Sequence, residues 1–205
     1  MKLIFPGINK ETINRSKPGW IYWILFTGAF ADASIWPFPV ATLFIAVVLL
    51  FPEKSGKIIL ISTIGTLLGA IAGYFAGRFA WISPEGDFTR LALLTFKHVP
   101  GFSENTYEKA GDLYSRWHIW ILFLGSFTPI PFGIFTVSSG VFGRPFLLLS
   151  LITLFSHIIK YSLLSALSLK TVQPALKFLK KRKEAVITVF LVIIALIILT
   201  ALINR

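Results

Sequence analysis

Apolar residues in this chain fall into long blocks separated by short charged stretches. Residues 1–19 are polar, with Lys2, Lys10, Arg15 and Lys17, and contain no apolar run leading to a small-residue cleavage site, so no cleaved signal peptide is expected. An apolar block then runs from Trp20 to Pro52, interrupted by Asp32, Pro37 and Pro39. Proline removes a backbone donor and restricts the residue before it, so this block predicts two helices broken at Trp36–Pro39. Residues 58–77 carry no charge; about 20 such residues suffice to cross a bilayer. Residues 81–117 mix five acids with four cations. Leu91, Leu94 and Val99 predict one short amphipathic helix there, and Glu104–Asp112 with Tyr107 and Leu113 a second, together an extramembrane or interfacial connector. Residues 119–143 are again uncharged and again broken, by Pro129 and Pro131. Residues 145–169 are apolar apart from interruptions at His157 and Lys160, 170–184 carry six cations against Glu184, and 185–203 form an uninterrupted apolar helix candidate.

Composition sharpens this pattern. The 205 residues are 55% hydrophobic and 14% charged, with a mean hydropathy of +0.77. A soluble domain usually carries about 25% charged residues, so this chain is too poor in charge to cover a water-facing surface. A soluble enzyme and a disordered basic chain are both disfavoured. The absence of cysteine removes disulfides, thiolate metal sites and thiol nucleophiles. The net charge of +11 then concerns orientation and anionic headgroups, not nucleic acid. The expected class is an all-α, polytopic membrane protein.

The two broken blocks resemble each other. Ser34-Ile35-Trp36-Pro37-Phe38-Pro39 aligns with Ser126-Phe127-Thr128-Pro129-Ile130-Pro131, and each is followed by a spanning candidate. Breaks of this kind are tolerated at membrane depth where they are buried in protein or line a wet cavity. A corresponding pair of them points to a transporter-like site at a repeat interface. If each broken block enters and leaves on one side, the two form inverted re-entrant hairpins, about 20–52 and 117–143. Spanning helices of about 56–80 and 144–169 and the connector 81–116 complete the unit. Residues 1–19, 52–57 and 170–184 then share one side with twelve Lys/Arg and three acids, against six Lys/Arg and five acids from Arg78 to Arg144. The positive-inside rule makes the first side cytoplasmic. The expected division is thus a cytoplasmic segment 1–19, a membrane unit 20–169, a basic cytoplasmic loop 170–184 and a C-terminal transmembrane helix 185–205.

Asp32-Ala-Ser-Ile-Trp-Pro37-Phe-Pro39 resembles the acid-then-Pro-x-Pro motif of the DedA/VTT-domain (SNARE-associated) membrane-protein superfamily. Gly73-Tyr74-Phe-Ala-Gly77-Arg78 looks like its Tyr-x-x-Gly-Arg helix end. Phe127-Thr128-Pro129-Ile130-Pro131-Phe132 with Ser139-Gly140-Val141-Phe142 is similar to the second hairpin of the YqaA-like branch, and Lys160-Tyr161 stands where that branch has Arg and an aromatic. The resemblance spans about residues 20–169. It implies a multi-pass plasma (inner) membrane protein that handles lipid, such as a flippase or scramblase of a polyprenyl phosphate (undecaprenyl phosphate in some bacterial members) or of phospholipid. It also implies a functional acid at Asp32. The second hairpin departs from the family, with Ser126 and Gly133 where cations usually stand.

An ionisable group inside an apolar segment is a functional candidate by default. Asp32 and Lys160 meet that description; Asp32 can exchange a proton or pair with a cation, and Lys160 can hold Asp32 or a lipid phosphate. A capping Asp and a static ion pair are the plainer accounts. Arg78 and Arg144 are further candidates for a headgroup contact, with simple anchoring the plainer account for Arg78. The helix breaks are marked by Ser34, Pro37, Pro39, Ser126, Pro129, Pro131 and Gly133. Gly65, Gly69, Gly73 and Gly77 form a small-residue face that lets another helix approach. Six tryptophans, Trp20, Trp23, Trp36, Trp81, Trp117 and Trp120, stand near expected helix ends as interfacial anchors. His98, His118 and His157 lack metal-ligand spacing, and no nucleophile–base motif is present. The expectation is therefore no metal, no cofactor and no enzymatic activity. Membrane lipids, with anionic headgroups and a polyprenyl phosphate among them, are the expected partners, and a homo-oligomer is compatible with the sequence. A non-transporting scaffold or envelope-maintenance protein that keeps the fold is the alternative.

Overall fold

A computed structural model describes residues 19–101, 103–117, 120–128, 130–172 and 174. The expected segment before Gly19, most of the basic loop, the C-terminal transmembrane helix and Pro129 lie outside the described residues. Among the described residues the chain is helical: α1 Gly19–Ser34, α2 Val40–Leu50, a 3-10 turn Pro52–Lys54, α3 Ser55–Ala80, α4 Arg90–His98, α5 Glu104–Trp117, α6 Trp120–Gly125, α7 Phe132–Val141 and α8 Phe146–Leu167, which runs into a π turn Ser168–Val172. One isolated antiparallel bridge joins Ile82 and Phe88.

Proline sets the helix starts. Pro39, Pro131 and Pro145 each stand immediately before α2, α7 and α8, where the missing N–H costs nothing because the first turn has no intrahelical acceptor for it. The two breaks share a local device. The Ser34 hydroxyl donates to the Ala31 carbonyl at 3.0 Å and the Ser126 hydroxyl to the Phe123 carbonyl at 2.7 Å, so the aligned serines close the last turn of each incoming helix. After the first break the chain folds back, and Leu25 of α1 shares a core with Phe44, Val47 and Val48 of α2. After the second, the Phe135 ring of α7 returns to cover Gly125 of α6.

The long helix α3 is the centre of the assembly and packs against α1, α7 and α8. Its glycines explain how. A Cβ on Gly65 would meet the Phe26 carbonyl oxygen, one on Gly69 that of Phe30, and one on Gly73 the Ser34 carbonyl and the Thr136 hydroxyl. The register is constant and ascending in both helices, so α1 runs parallel to α3 in backbone contact. Gly77 serves α7 instead, against the Val137 carbonyl, and Gly140 of α7 answers against the Tyr74 carbonyl. The glycine stripe is therefore a packing face shared between the two broken units.

α3 and α8 are long and apolar enough to cross a membrane, at about 39 Å and about 33 Å for 26 and 22 residues. Their faces are arranged inside out. The buried stripe of α8 is Thr153, Ser156, His157, Tyr161 and Ser165, with Leu149, whereas Leu147, Leu151, Phe155, Ile159 and Leu163 point outward. On α3, Ser62, Thr63 and Thr66 are buried while Leu60, Ile64, Leu68 and Phe79 are exposed. Polar side chains inward and large apolar ones outward is the pattern that lipid, not water, rewards.

The expected helix over 144–169 runs through His157 and Lys160, which leave its outer face apolar. The short helix expected around Leu91 and Leu94 is α4, in which both leucines are exposed while Ala92 and Thr95 are buried. Small residues are what fit against the neighbouring wall of Trp81, Val99 and Ala110. Trp81 is fully buried in that cluster and is no interfacial anchor, whereas Trp20, Trp23, Trp36, Trp117 and Trp120 are more than half exposed.

Candidate functional site

The two helix breaks meet back to back against α3. Gly133, the second residue of α7, lies so close to the Ser34 carbonyl that an added Cβ would sit 2.5 Å from its oxygen. The Thr136 hydroxyl donates to the Ala33 carbonyl at 2.8 Å, capping a backbone acceptor near the broken end of α1. Thr136 thus ties the second unit to the first, a role the sequence reading missed. α8 closes the third side. The Phe132 ring stands edge-on to the His157 ring at 4.6 Å, and Phe44 stacks on Tyr161 at 4.7 Å. The Tyr161 hydroxyl is hydrogen-bonded to that of Thr66 at 3.1 Å. The buried polar stripe on α8 could have been found from its four-residue spacing, had the helix been read for polar rather than apolar periodicity.

Between the two breaks and α8 lies a cavity of about 430 Å³. Its walls include Pro37, Phe38, Pro39 and Ala41 from the first break, Thr128, Ile130 and Pro131 from the second, and Lys160 from α8. Asp32, at the end of α1, supplies the acid. The Phe38 N–H donates to Asp32 Oδ1 at 3.4 Å, which draws the chain after the break back toward the carboxylate. The charges of Asp32 and Lys160 act on each other across this space. No ion pair within 4.0 Å joins them. Of the expected site residues, Asp32, Pro37, Pro39, Pro131 and Lys160 line one cavity, and Ser34 and Gly133 form the contact behind it.

Arg78 and Arg144 are elsewhere, at the connector end of α3 and α7. The Arg78 guanidinium lies against Gly143, which adopts a φ of +61°. The neighbouring Arg144 stands over the Tyr114 ring at 5.7 Å, and its carbonyl accepts the Tyr74 hydroxyl at 2.8 Å. Arg144 braces the junction of α3, α5 and α7 through Tyr74 and Tyr114, whereas the Arg78 side chain is exposed. Around them the connector is aromatic: Tyr107 stacks on Phe142, and the Tyr114 hydroxyl reaches the Phe135 carbonyl and the Ser139 hydroxyl, both at 2.6 Å. His157 packs with Nδ1 3.0 Å from the Thr153 carbonyl. Among the described residues no three His, Asp or Glu side chains converge as a metal site.

The described residues form a helical fold with two helices long and apolar enough to cross a membrane and a cavity between paired helix breaks that Asp32 and Lys160 line. Relatives with the same span exist. The chain is 24% identical over 168 residues to an uncharacterized protein of Haemophilus influenzae, covering 80% of this chain and 81% of that one. It is 26% identical over 147 residues to one of Histophilus somni, covering 72% and 71%. An archaeal relative from Methanocaldococcus jannaschii is 28% identical over 143 residues, covering 69% and 80%. All three are named only as uncharacterized. No family model matches the chain, and no solved structure matches it.

Proposed function

We propose that this protein is a multi-pass plasma-membrane transporter of the DedA/VTT type, a flippase or scramblase that passes a lipid headgroup through the cavity between two inverted re-entrant hairpins. The observation that carries the reading is the cavity itself, lined by an acid from the end of α1 and a cation from α8. The helix lengths support it. α2 and α7, with 11 and 10 residues, are about 16 Å and about 15 Å long, half of a hydrocarbon core of about 30 Å. They suit segments that turn back at mid-depth, and the polar inward faces of α3 and α8 suit a path that ions or headgroups can use. The charge bias places the N-terminal segment and the basic loop in the cytoplasm.

A cavity of about 430 Å³ is at the small end of ligand pockets. It holds a headgroup and leaves the acyl or prenyl chain in the bilayer. Lys160 supplies the cation missing from the second break. A side chain at Gly133 would drive into the first break, so this packing closes the place where relatives of the DedA type carry a charge. Asp32 is the group that changes partner or proton as a headgroup enters and leaves.

The test is lipid movement in reconstituted vesicles with wild type, Asp32→Asn and Lys160→Gln. Loss of transbilayer movement in both variants, with folding intact, supports transport. Wild-type protein that moves no lipid leaves the scaffold reading, which the neutral tip of the second hairpin favours.

A further inference from the structure

We infer that the cavity selects a zwitterionic headgroup, one carrying a phosphodiester and a primary ammonium, over a purely anionic phosphate; this rests on the transport reading only for its biological use. The argument is charge matching. Among the described residues the cavity is lined by one acid and one cation, Asp32 and Lys160, and its other walls are largely proline, phenylalanine, valine, alanine and isoleucine. The two charges are not joined in an ion pair, so each still has capacity for a ligand. Arg78 and Arg144 lie at the connector end, outside the cavity's lining. Gly133, closed against Ser34, cannot be the seat of another cation.

A phosphate monoester bears up to two negative charges, and here it would meet Lys160 on one wall and Asp32 on the other. Like charges brought together in a low-dielectric site repel strongly, so Asp32 opposes that ligand whenever it is ionised. A phosphoethanolamine-type headgroup has one charge of each sign. Its phosphate lies toward Lys160, which acts as a point charge, and its ammonium toward Asp32, where an N⁺–H to carboxylate bond is charge-assisted. Asp32 Oδ1 already accepts the Phe38 N–H, which orients the carboxylate and leaves Oδ2 for the ammonium. The Thr128 hydroxyl is spent on the Gly125 carbonyl, so Lys160 is the strong donor left for the phosphate. A neutral-overall cavity and a neutral-overall headgroup fit without burying unpaired charge.

The experiment titrates full-length protein in detergent with dihexanoyl phosphatidylethanolamine, dihexanoyl phosphatidylglycerol and farnesyl phosphate, reading binding by native mass spectrometry. Wild type is expected to hold phosphatidylethanolamine about tenfold more tightly than either anionic lipid, a difference typical of one well-placed charge pair. Asp32→Asn should remove that preference from both sides, weakening phosphatidylethanolamine and tightening the anionic lipids that the carboxylate no longer repels. In a second measurement that needs no variant, glycerophosphoethanolamine, a neutral phosphodiester zwitterion, should displace the bound lipid and the anionic diester glycerophosphoglycerol should not. Equal or tighter binding of an anionic lipid by wild type, or displacement by both small molecules alike, overturns the inference. An unchanged preference in folded Asp32→Asn overturns it too. The same lipids are followed across vesicle bilayers. Selective binding without crossing would sink the transport reading and leave this inference standing, whereas crossing without selective binding would do the reverse.

Discussion

Gly65 tests whether α1 is truly held in backbone contact with α3. Alanine there would place a Cβ 2.6 Å from the Phe26 carbonyl oxygen and 3.2 Å from the Ala29 Cβ. Carbon–oxygen contacts normally begin near about 3.3 Å, so α1 must retreat by about 0.7 Å along a face where it is pinned again at Gly69 and Gly73. Overpacking of this size costs about 1–3 kcal/mol, against which alanine recovers about 1 kcal/mol of helix propensity. Gly56, on the same helix, is the control, since a Cβ there meets nothing within 4 Å and should gain about 0.5–1 kcal/mol. Thermal unfolding of the detergent-solubilised protein reads both. Gly65→Ala should melt several degrees lower than Gly56→Ala, at about 2–4 °C per kcal/mol for a chain of this size. Lipid movement should fall as well, because α1 carries Asp32. Equal melting of the two variants would refute the close α1–α3 contact.

Three further outcomes follow from the packing. Thr136→Val keeps the shape but leaves the Ala33 carbonyl without its donor, and should cost about 1–2 kcal/mol, read by the same melting curves. Trp81→Ala, in the buried connector cluster, should cost about 3–5 kcal/mol, whereas exposed Trp23→Ala should stay within about 0.5 kcal/mol; equal effects would contradict the burial assigned to Trp81. Burial holds the Tyr107 phenol above its ordinary pKa, so an unfolded chain loses this proton near pH of about 10 while the folded one keeps it. Stability should therefore fall as pH rises through that value. Tyr107→Phe should lessen the fall without abolishing it, because burial raises the Tyr114 phenol in the same way.

The helix breaks were legible because proline acts locally. Pro37, Pro39 and Pro131 forbid a continuous helix whatever surrounds them, and α2 and α7 start after them. The glycine stripe was legible as a face, though not which helix it receives; that it divides between α1 and α7 depends on tertiary register. Asp32 and Lys160 stood out because charge is costly in an apolar segment, and they line one cavity. Their relation to Arg78 and Arg144 was not legible, since four isolated cations and acids in a sequence carry no distances. Leu91 and Leu94 marked a short connector helix, though not that its buried side is made of small residues set against Trp81. Trp81 misled, because tryptophan at a helix end reads as an anchor until a second layer covers it. Thr136 carried no sequence signal, as its partner is a backbone carbonyl far away in the chain.

The central claim is that lipid headgroups pass through the cavity between the two helix breaks. The chain has no cysteine, so Thr128→Cys places a single thiol in the cavity wall. The decisive measurement is transbilayer lipid movement by reconstituted Thr128→Cys before and after modification with a bulky methanethiosulfonate reagent, then after reduction. The account predicts activity before labelling, loss on labelling and recovery when the adduct is removed. Lipid movement that continues at its original rate in fully labelled protein would contradict it.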